Sequence, residues 1–243
     1  MTDYVASTYG DEIADVYDAL FADPDPAAIQ TLAELAGEGS VLELGIGTGR
    51  LALPLTERGL VVHGIDASLA MVQKLRGKPG GAAIPVTVGD FSRTALDQRF
   101  SLVFVAFNTL FALPSQEDQV RCFSHVASML RPGGAFLIEA FVPDLGRFDR
   151  GQRFAVSRID RDQVWLEAAR HQADTQVVDS QLVRLSEKGV RLFPIRIRYA
   201  WPAELDLMAR VAGLRLRDRW SGWNRQPFSS ASSAHVSVYE RGD

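Results

Sequence analysis

Val41-Leu-Glu-Leu44-Gly45-Ile-Gly47-Thr-Gly49-Arg50 is the stretch that decides the fold of this 243-residue chain. An apolar run ends abruptly in three glycines at alternate positions, and helical spacing begins with Leu51 and continues to Arg58. Glycines in a strand-to-helix turn allow positive φ and leave the backbone bare beside a ligand. A dinucleotide-binding turn asks for G-x-G-x-x-G, so that pyrophosphate can sit on the helix N-terminus. Here the third position of that pattern is Arg50. The dinucleotide fingerprint fails there.

Outward from this turn, short apolar runs alternate with helical patterns. Val61-Val-His-Gly-Ile65 reads as a second strand, and Ser68 is a good N-cap for the helix after it. Pro85 to Val88 reads as a third strand and Leu102 to Phe107 as a fourth. Gln119 to Leu130 carries helical spacing and stops at Pro132-Gly133-Gly134; Ala135 to Ala140 is a fifth strand. Continuous apolar strands between helices predict a parallel sheet buried on both faces.

The period then changes. From Phe154 to Tyr199 polar and apolar residues alternate, as antiparallel strands with one wet face would require. Pro202 to Ala212 resumes helical spacing before Gly213, and Leu214 to Trp220 and Ala234 to Tyr239 read as closing strands. The expected architecture is a doubly wound α/β core with an antiparallel β insertion after strand five.

Composition narrows the function. With 47% hydrophobic residues the core needs no disulfide or metal staple, and with Cys122 as its one cysteine the chain can form no internal disulfide. The four histidines have no metal-ligand spacing, so no metal site is expected. A net charge of −4 argues against a grip on nucleic acid. The uncharged run between Arg99 and Glu117 is too short and too polar to span a bilayer, and Met1-Thr2-Asp3-Tyr4 does not read as a secretory signal. A cytoplasmic location is expected.

Three acids end three neighbouring strands. Glu43 stands where a ligand ammonium could lie. Asp66 stands where a ribose would present two hydroxyls to a carboxylate, and Asp90, followed by Phe91, could meet an adenine amino group. All three would converge on the crevice where open α/β sheets bind ligands.

These motifs, with Leu130-Arg-Pro-Gly-Gly134 before strand five, closely resemble the class I S-adenosylmethionine-dependent methyltransferases from about Tyr9 to Tyr239. The resemblance implies a mostly parallel seven-stranded sheet of the Rossmann-like methyltransferase kind, in one domain spanning 1–243. Within it, 1–38 would form a helical lid, 39–142 the cofactor-binding half, and 150–200 the insertion over the acceptor site. Glu43, Gly45, Gly47 and Gly49 would form the methionine-side loop and Asp66 would hold the ribose. Ala67 and Met71 would flank the adenine, with Asp90 and Phe91 reading its edge. Tyr17 of the lid and Phe107 past strand four would complete the cofactor site, and Tyr9, Tyr17 and Asn108 would face the reacting groups.

Asn108-Thr-Leu-Phe111 lacks the prolines and stacking aromatic of nucleic-acid amino-methyltransferases, and the acid cluster of magnesium-dependent catechol enzymes is absent too. The plan is similar to amino-sugar N-methyltransferases of antibiotic pathways and to peptide α-N-methyltransferases of ribosomal-peptide pathways. It therefore implies nitrogen methylation of a small metabolite or peptide N-terminus in natural-product biosynthesis, and leaves room for a homodimer. Asn108 could instead cap the following helix. The competing functions are O-methylation of a small molecule, a binding protein without chemistry, and a nicotinamide enzyme, which Arg50 opposes.

Overall fold

The computed structural model describes residues 3–21 and 23–242. Three helices come first: α1 (Thr8–Ile13), α2 (Tyr17–Phe21) and α3 (Pro26–Ala36). Asp25 caps α3 by accepting from Ala27 N at 2.9 Å, with Pro26 at its first position. The core then runs β1 (Val41–Leu44), α4 (Ala52–Glu57), β2 (Val62–Asp66), α5 (Leu69–Arg76), β3 (Val86–Val88) and β4 (Phe100–Val105). It continues through α6 (Gln116–Met129) and β5 (Leu130–Phe141).

An antiparallel insertion follows, made of β6 (Gln152–Ile159), β7 (Gln163–Gln172), β8 (Val177–Ser186) and β9 (Gly189–Arg198). The chain closes with α7 (Pro202–Val211), β10 (Leu214–Trp220) and β11 (Ala234–Arg241). The main sheet has seven strands in the order β10-β11-β5-β4-β1-β2-β3, and the insertion is a separate four-stranded sheet. Strands β3, β2, β1, β4 and β5 pair in parallel, and β11 enters antiparallel to β5. This is the doubly wound sheet with an insertion after strand five that the sequence predicts.

Boundaries move where local chemistry decides them. Pro85 has no N–H for the ladder, so β3 begins at Val86, although the Pro85 carbonyl still accepts from Gly64 N. Helix α6 begins three residues before the apolar spacing shows, because Ser115 caps it on Asp118 N at 3.0 Å.

The insertion is the less regular case, because both of its faces carry apolar residues. One face packs inward: Trp165 and Phe193 join Ile13, Ala14 and Met71 in a buried cluster with the N-terminal helices. Val178 packs with the main core. A buried Arg198 fixes the insertion to the core helices, donating to Gln119 Oε1 on α6 at 2.6 Å and to Glu204 on α7 at 2.7 Å. Among the described residues no helix is long and apolar enough to cross a membrane.

Candidate active site

Parallel pairing sets the carboxyl ends of the central strands side by side. Leu44 lies opposite Ile65, and Asp66 opposite Val88. Glu43, Asp66 and the Gly89-Asp90 turn therefore share one edge with the turn leaving β4 at Ala106 and Phe107. The three glycines after β1 all have positive φ, at 73°, 57° and 80°. Their surroundings differ. A Cβ on Gly45 would stand 2.5 Å from Thr109 Cγ2, and one on Gly49 would stand 2.4 Å from Leu75 Cδ1. A Cβ on Gly47 would meet only the Gly45 carbonyl, at 3.9 Å. Gly45 and Gly49 are held by packing within the protein; Gly47 faces open space.

Asp66 stitches this loop to the next helix. Its Oδ2 accepts from Gly47 N at 2.7 Å and its Oδ1 from Ser68 N at 2.8 Å. Each carboxylate oxygen retains a lone pair for a further donor. Burial raises the Asp66 carboxyl above its ordinary range, against the lowering effect of the two backbone N–H groups. Ser68 then caps α5 through Met71 N.

Glu43 is buried at 5% exposure, and its Oε2 has no hydrogen-bond partner. Burial pushes its carboxyl well above the usual range; Arg50 opposes that shift and Asp66 adds to it. An unpaired acceptor this deep is costly unless a donor arrives. A small cavity of about 30 Å³ adjoins it, lined by Tyr17, Gly47, Thr48, Arg50, Phe107 and Thr109 among others.

The N-terminal helices close over this cavity. Tyr17 packs at a tilt on Phe21 with ring centroids 5.1 Å apart, Phe21 meets Phe107 edge-on at 5.1 Å, and the Arg50 guanidinium lies 5.1 Å above the Phe107 ring. Acids at 11, 15 and 18 pin the segment down. Asp11 accepts from Ser68 Oγ at 2.6 Å, Asp15 pairs with Lys74 at 3.0 Å, and Asp18 accepts from Thr48 Oγ1 at 2.6 Å. Lys78 Nζ completes this last contact, 2.8 Å from Asp18 and 2.9 Å from the Thr48 carbonyl. Burial raises the hydroxyls of Tyr9 and Tyr17, so neither is a base near neutral pH.

Ala67 is half-buried at the start of the turn into α5, Met71 sits in the core cluster with the N-terminal helices, and Phe91 is buried in the main core. Asp90 Oδ1 accepts from Ser92 N at 2.8 Å, which fixes the turn after β3. Asn108 does not cap the 3₁₀ turn Thr109–Ala112. It has φ of 65°, and its Oδ1 accepts from Phe141 N at 2.7 Å, which joins the ends of β4 and β5. Tyr199 and Trp223 are buried. Tyr199 bonds His171 at 2.9 Å, and the Trp223 indole donates to Glu139 at 2.7 Å.

Several of these residues carry no motif. Arg50 reads in the sequence only as a missing glycine. Asp11, Asp15 and Asp18 show a spacing of four and three that places them on one side of a helical segment, the one available signal for these N-terminal contacts. Glu139 is a lone acid in the apolar strand Ala135-Phe-Leu-Ile-Glu-Ala140.

Larger hollows lie elsewhere. A groove of about 830 Å³ on the insertion sheet, bordered by Arg150, Phe154 and Arg170, shares no residue with the glycine-loop cavity. Among the described residues, no buried unpartnered carboxylate lines it.

Residues 41–134 match the model of a family described as a methyltransferase domain. The chain is also 43% identical to the CcbJ methyltransferase of Streptomyces caelestis, whose solved structure superposes with a TM-score of 0.93 over 99% of this chain and 100% of that one. The chain belongs to the class I S-adenosylmethionine-dependent methyltransferases. A curated relative, the cypemycin N-terminal methyltransferase of a Streptomyces species, is 28% identical over 97% of this chain and 98% of its own length. An S-adenosylmethionine-dependent methyltransferase of Clostridium acetobutylicum, 16% identical, shares the fold at a TM-score of 0.80 over 95% and 98% of the two chains. S-adenosylmethionine is thus the cofactor of this methyltransferase, and the failure of the dinucleotide fingerprint at Arg50 agrees with it.

Proposed function

We propose that this methyltransferase delivers its methyl group to an amine nitrogen, on a small metabolite or at a peptide N-terminus. The observation that carries this reading is that the side chains assigned nearest the acceptor, Tyr9, Tyr17 and Asn108, offer no base. Both tyrosine hydroxyls stay protonated, and the Asn108 amide oxygen is taken by Phe141 N. His171, the histidine on the inner face of the insertion, is bonded to Tyr199 and stacked on Phe148. A phenol or alcohol needs a base to become a nucleophile, whereas an amine with an unprotonated fraction attacks as it stands. The name of the cypemycin relative points to the same class of acceptor.

The cavity suits the cofactor chemically. Glu43 Oε2 is a buried acceptor awaiting a donor, which the ammonium of the methionine portion would supply. The backbones of Gly45, Gly47 and Gly49 would run beside that portion, and the spare lone pairs of Asp66 would take the ribose hydroxyls. Asp90 and Phe91 would meet the adenine edge, with Ala67 beside the ring and Met71 backing that wall. Tyr17 and Phe107 would close the site. Bound there, the cofactor supplies a methyl carried on a sulfonium. The protein's part is to hold the acceptor in line at roughly 3–3.5 Å and to exclude water. We assign the lid to 1–38, the cofactor half to 39–142 and the acceptor cover to 150–200, with Tyr9, Tyr17 and Asn108 nearest the acceptor.

The outer face of the insertion favours a homodimer. One row of paired residues runs Val156, Leu166, Val183 and Leu192 across four strands, and Phe154 in the next row is 70% exposed. Covering such a face with a second copy would bury both; sedimentation of a monomer at micromolar concentration would exclude it.

The test of acceptor class is a panel of free amines, peptide N-termini, amino sugars and phenols, incubated with enzyme and S-adenosylmethionine. A one-methyl mass gain on amines supports the reading. Turnover of phenols alone would replace it with O-methylation, and cofactor binding with no product on any acceptor would favour a binding protein.

A further inference from the structure

Phe107 and Asn108 are consecutive non-glycine residues with positive φ, at 53° and 65°. L-residues adopt that conformation only when their surroundings impose it. Here one residue of β5 supplies most of the constraint. Glu139 Oε2 accepts from Phe107 N at 2.8 Å, and the Glu139 carbonyl accepts from Asn108 N at 3.1 Å. The Phe141 N bond to Asn108 Oδ1 completes the clamp. The other Glu139 oxygen, Oε1, accepts from Trp223 Nε1 at 2.7 Å, so both carboxylate oxygens meet N–H donors. The turn thus held carries the Phe107 ring, which meets Phe21 of the lid and Arg50 of the glycine loop.

We propose that Glu139 is the positioning residue of this site, setting the strained Phe107–Asn108 turn and through it the wall between lid and glycine loop. The proposal rests on the reading of that cavity as the cofactor site. Two N–H donors require two acceptor oxygens, and a carboxylate supplies both. An amide supplies one, and turns an NH₂ group toward the donor that is left. The chemistry therefore separates the clamp from general stability. In Glu139→Gln one of Phe107 N and Trp223 Nε1 must lose its partner. Removing the indole donor as well, with Trp223→Phe, frees the glutamine oxygen to return to Phe107.

The experiment is calorimetric titration of S-adenosylmethionine into wild type, E139Q, W223F and the double variant, with a melting temperature for each. E139Q should bind about ten-fold more weakly than wild type, the scale of one lost charge-assisted hydrogen bond. W223F should bind within about two-fold of wild type but melt lower, having lost a buried indole. The double variant should regain most of the affinity while melting no higher than E139Q. Affinity that follows melting temperature across the four proteins would overturn the clamp, as would unchanged affinity in E139Q. If E139Q alone does not fold, the double variant is compared with W223F: equal affinity supports the clamp, and a ten-fold deficit overturns it. Wild-type protein that fails to bind S-adenosylmethionine would sink the cavity's assignment, a different outcome from a wild type that binds and an E139Q that is unaffected.

Discussion

The Asp18 carboxylate of α2 takes the Thr48 hydroxyl at 2.6 Å, so the N-terminal helices are fastened directly to the glycine loop. Lys78 bridges the same two residues. Burial would raise the Asp18 carboxyl, but the hydrogen bonds from Lys78 and Thr48 outweigh it and hold the group below its ordinary value. A lowered folded-state value means that this contact adds stability at pH above the unfolded value of about 3.9, and that contribution fades as pH falls through the lowered value. The latch is therefore intact throughout the neutral range.

Asp18→Asn should weaken S-adenosylmethionine binding about three- to ten-fold and expose the first 20 or so residues to limited proteolysis. Asp18 is partly exposed, so the global melting temperature should hardly move. Protease sensitivity unchanged from wild type would show that the latch does not fasten the lid.

Asp66→Ala is expected to cost both affinity and stability, because the carboxylate already accepts from Gly47 N and Ser68 N. Both N–H groups lose their acceptor, so the melting temperature should fall, but by less than two full charge-assisted bonds, because the burial that raises this carboxyl is relieved at the same time. Asp66→Asn keeps one acceptor and should fall between the two proteins. A stable Asp66→Ala protein with normal cofactor affinity would remove both assignments together.

The glycines should separate by measurement. Gly45→Ala drives a methyl into Thr109 and should lower the melting temperature sharply, whereas Gly47→Ala meets no side chain and strains only its φ, at about 1 kcal/mol. Gly47→Ala should then remain folded and lose cofactor affinity. The reverse pattern, with Gly45→Ala the milder change in stability, would mean that the turn has been misread.

The parallel part of the main sheet was legible from its apolar strands, from the glycine turn after β1, and from acids at or near the ends of β1, β2 and β3. Glu43, Asp66 and Asp90 could be placed on one edge because parallel strands with short connections leave them no other arrangement. The turn after β4 was only half legible. Phe107 and Asn108 could be located, but their positive φ depends on Glu139, and a bond across 32 residues leaves no mark in local pattern. Arg198 was hidden for the same reason: alternation in β9 places it among solvated arginines, while partners from α6 and α7 bury it.

Glu43 offers the sharpest separation of stability from function. Its carboxyl is raised chiefly by burial, and its Oε2 has no partner. A raised folded-state value means that the protonated form stabilises the fold fully below the unfolded value of about 4.3. That stability is lost as pH rises through the folded value. Ionising this carboxyl therefore destabilises the wild type as pH rises above the unfolded value, and Glu43→Gln, of the same shape, has no such dependence. The variant should melt higher than wild type, by an amount that grows as pH rises above the unfolded value in paired calorimetric scans. It should also bind S-adenosylmethionine at least about ten-fold more weakly, because a neutral amide replaces the ammonium's counter-ion. Higher melting with lost affinity is what a carboxylate kept for its ligand predicts. A Glu43→Gln protein that melts lower at every pH would show that the charge is already satisfied within the fold, and the ammonium assignment would fall.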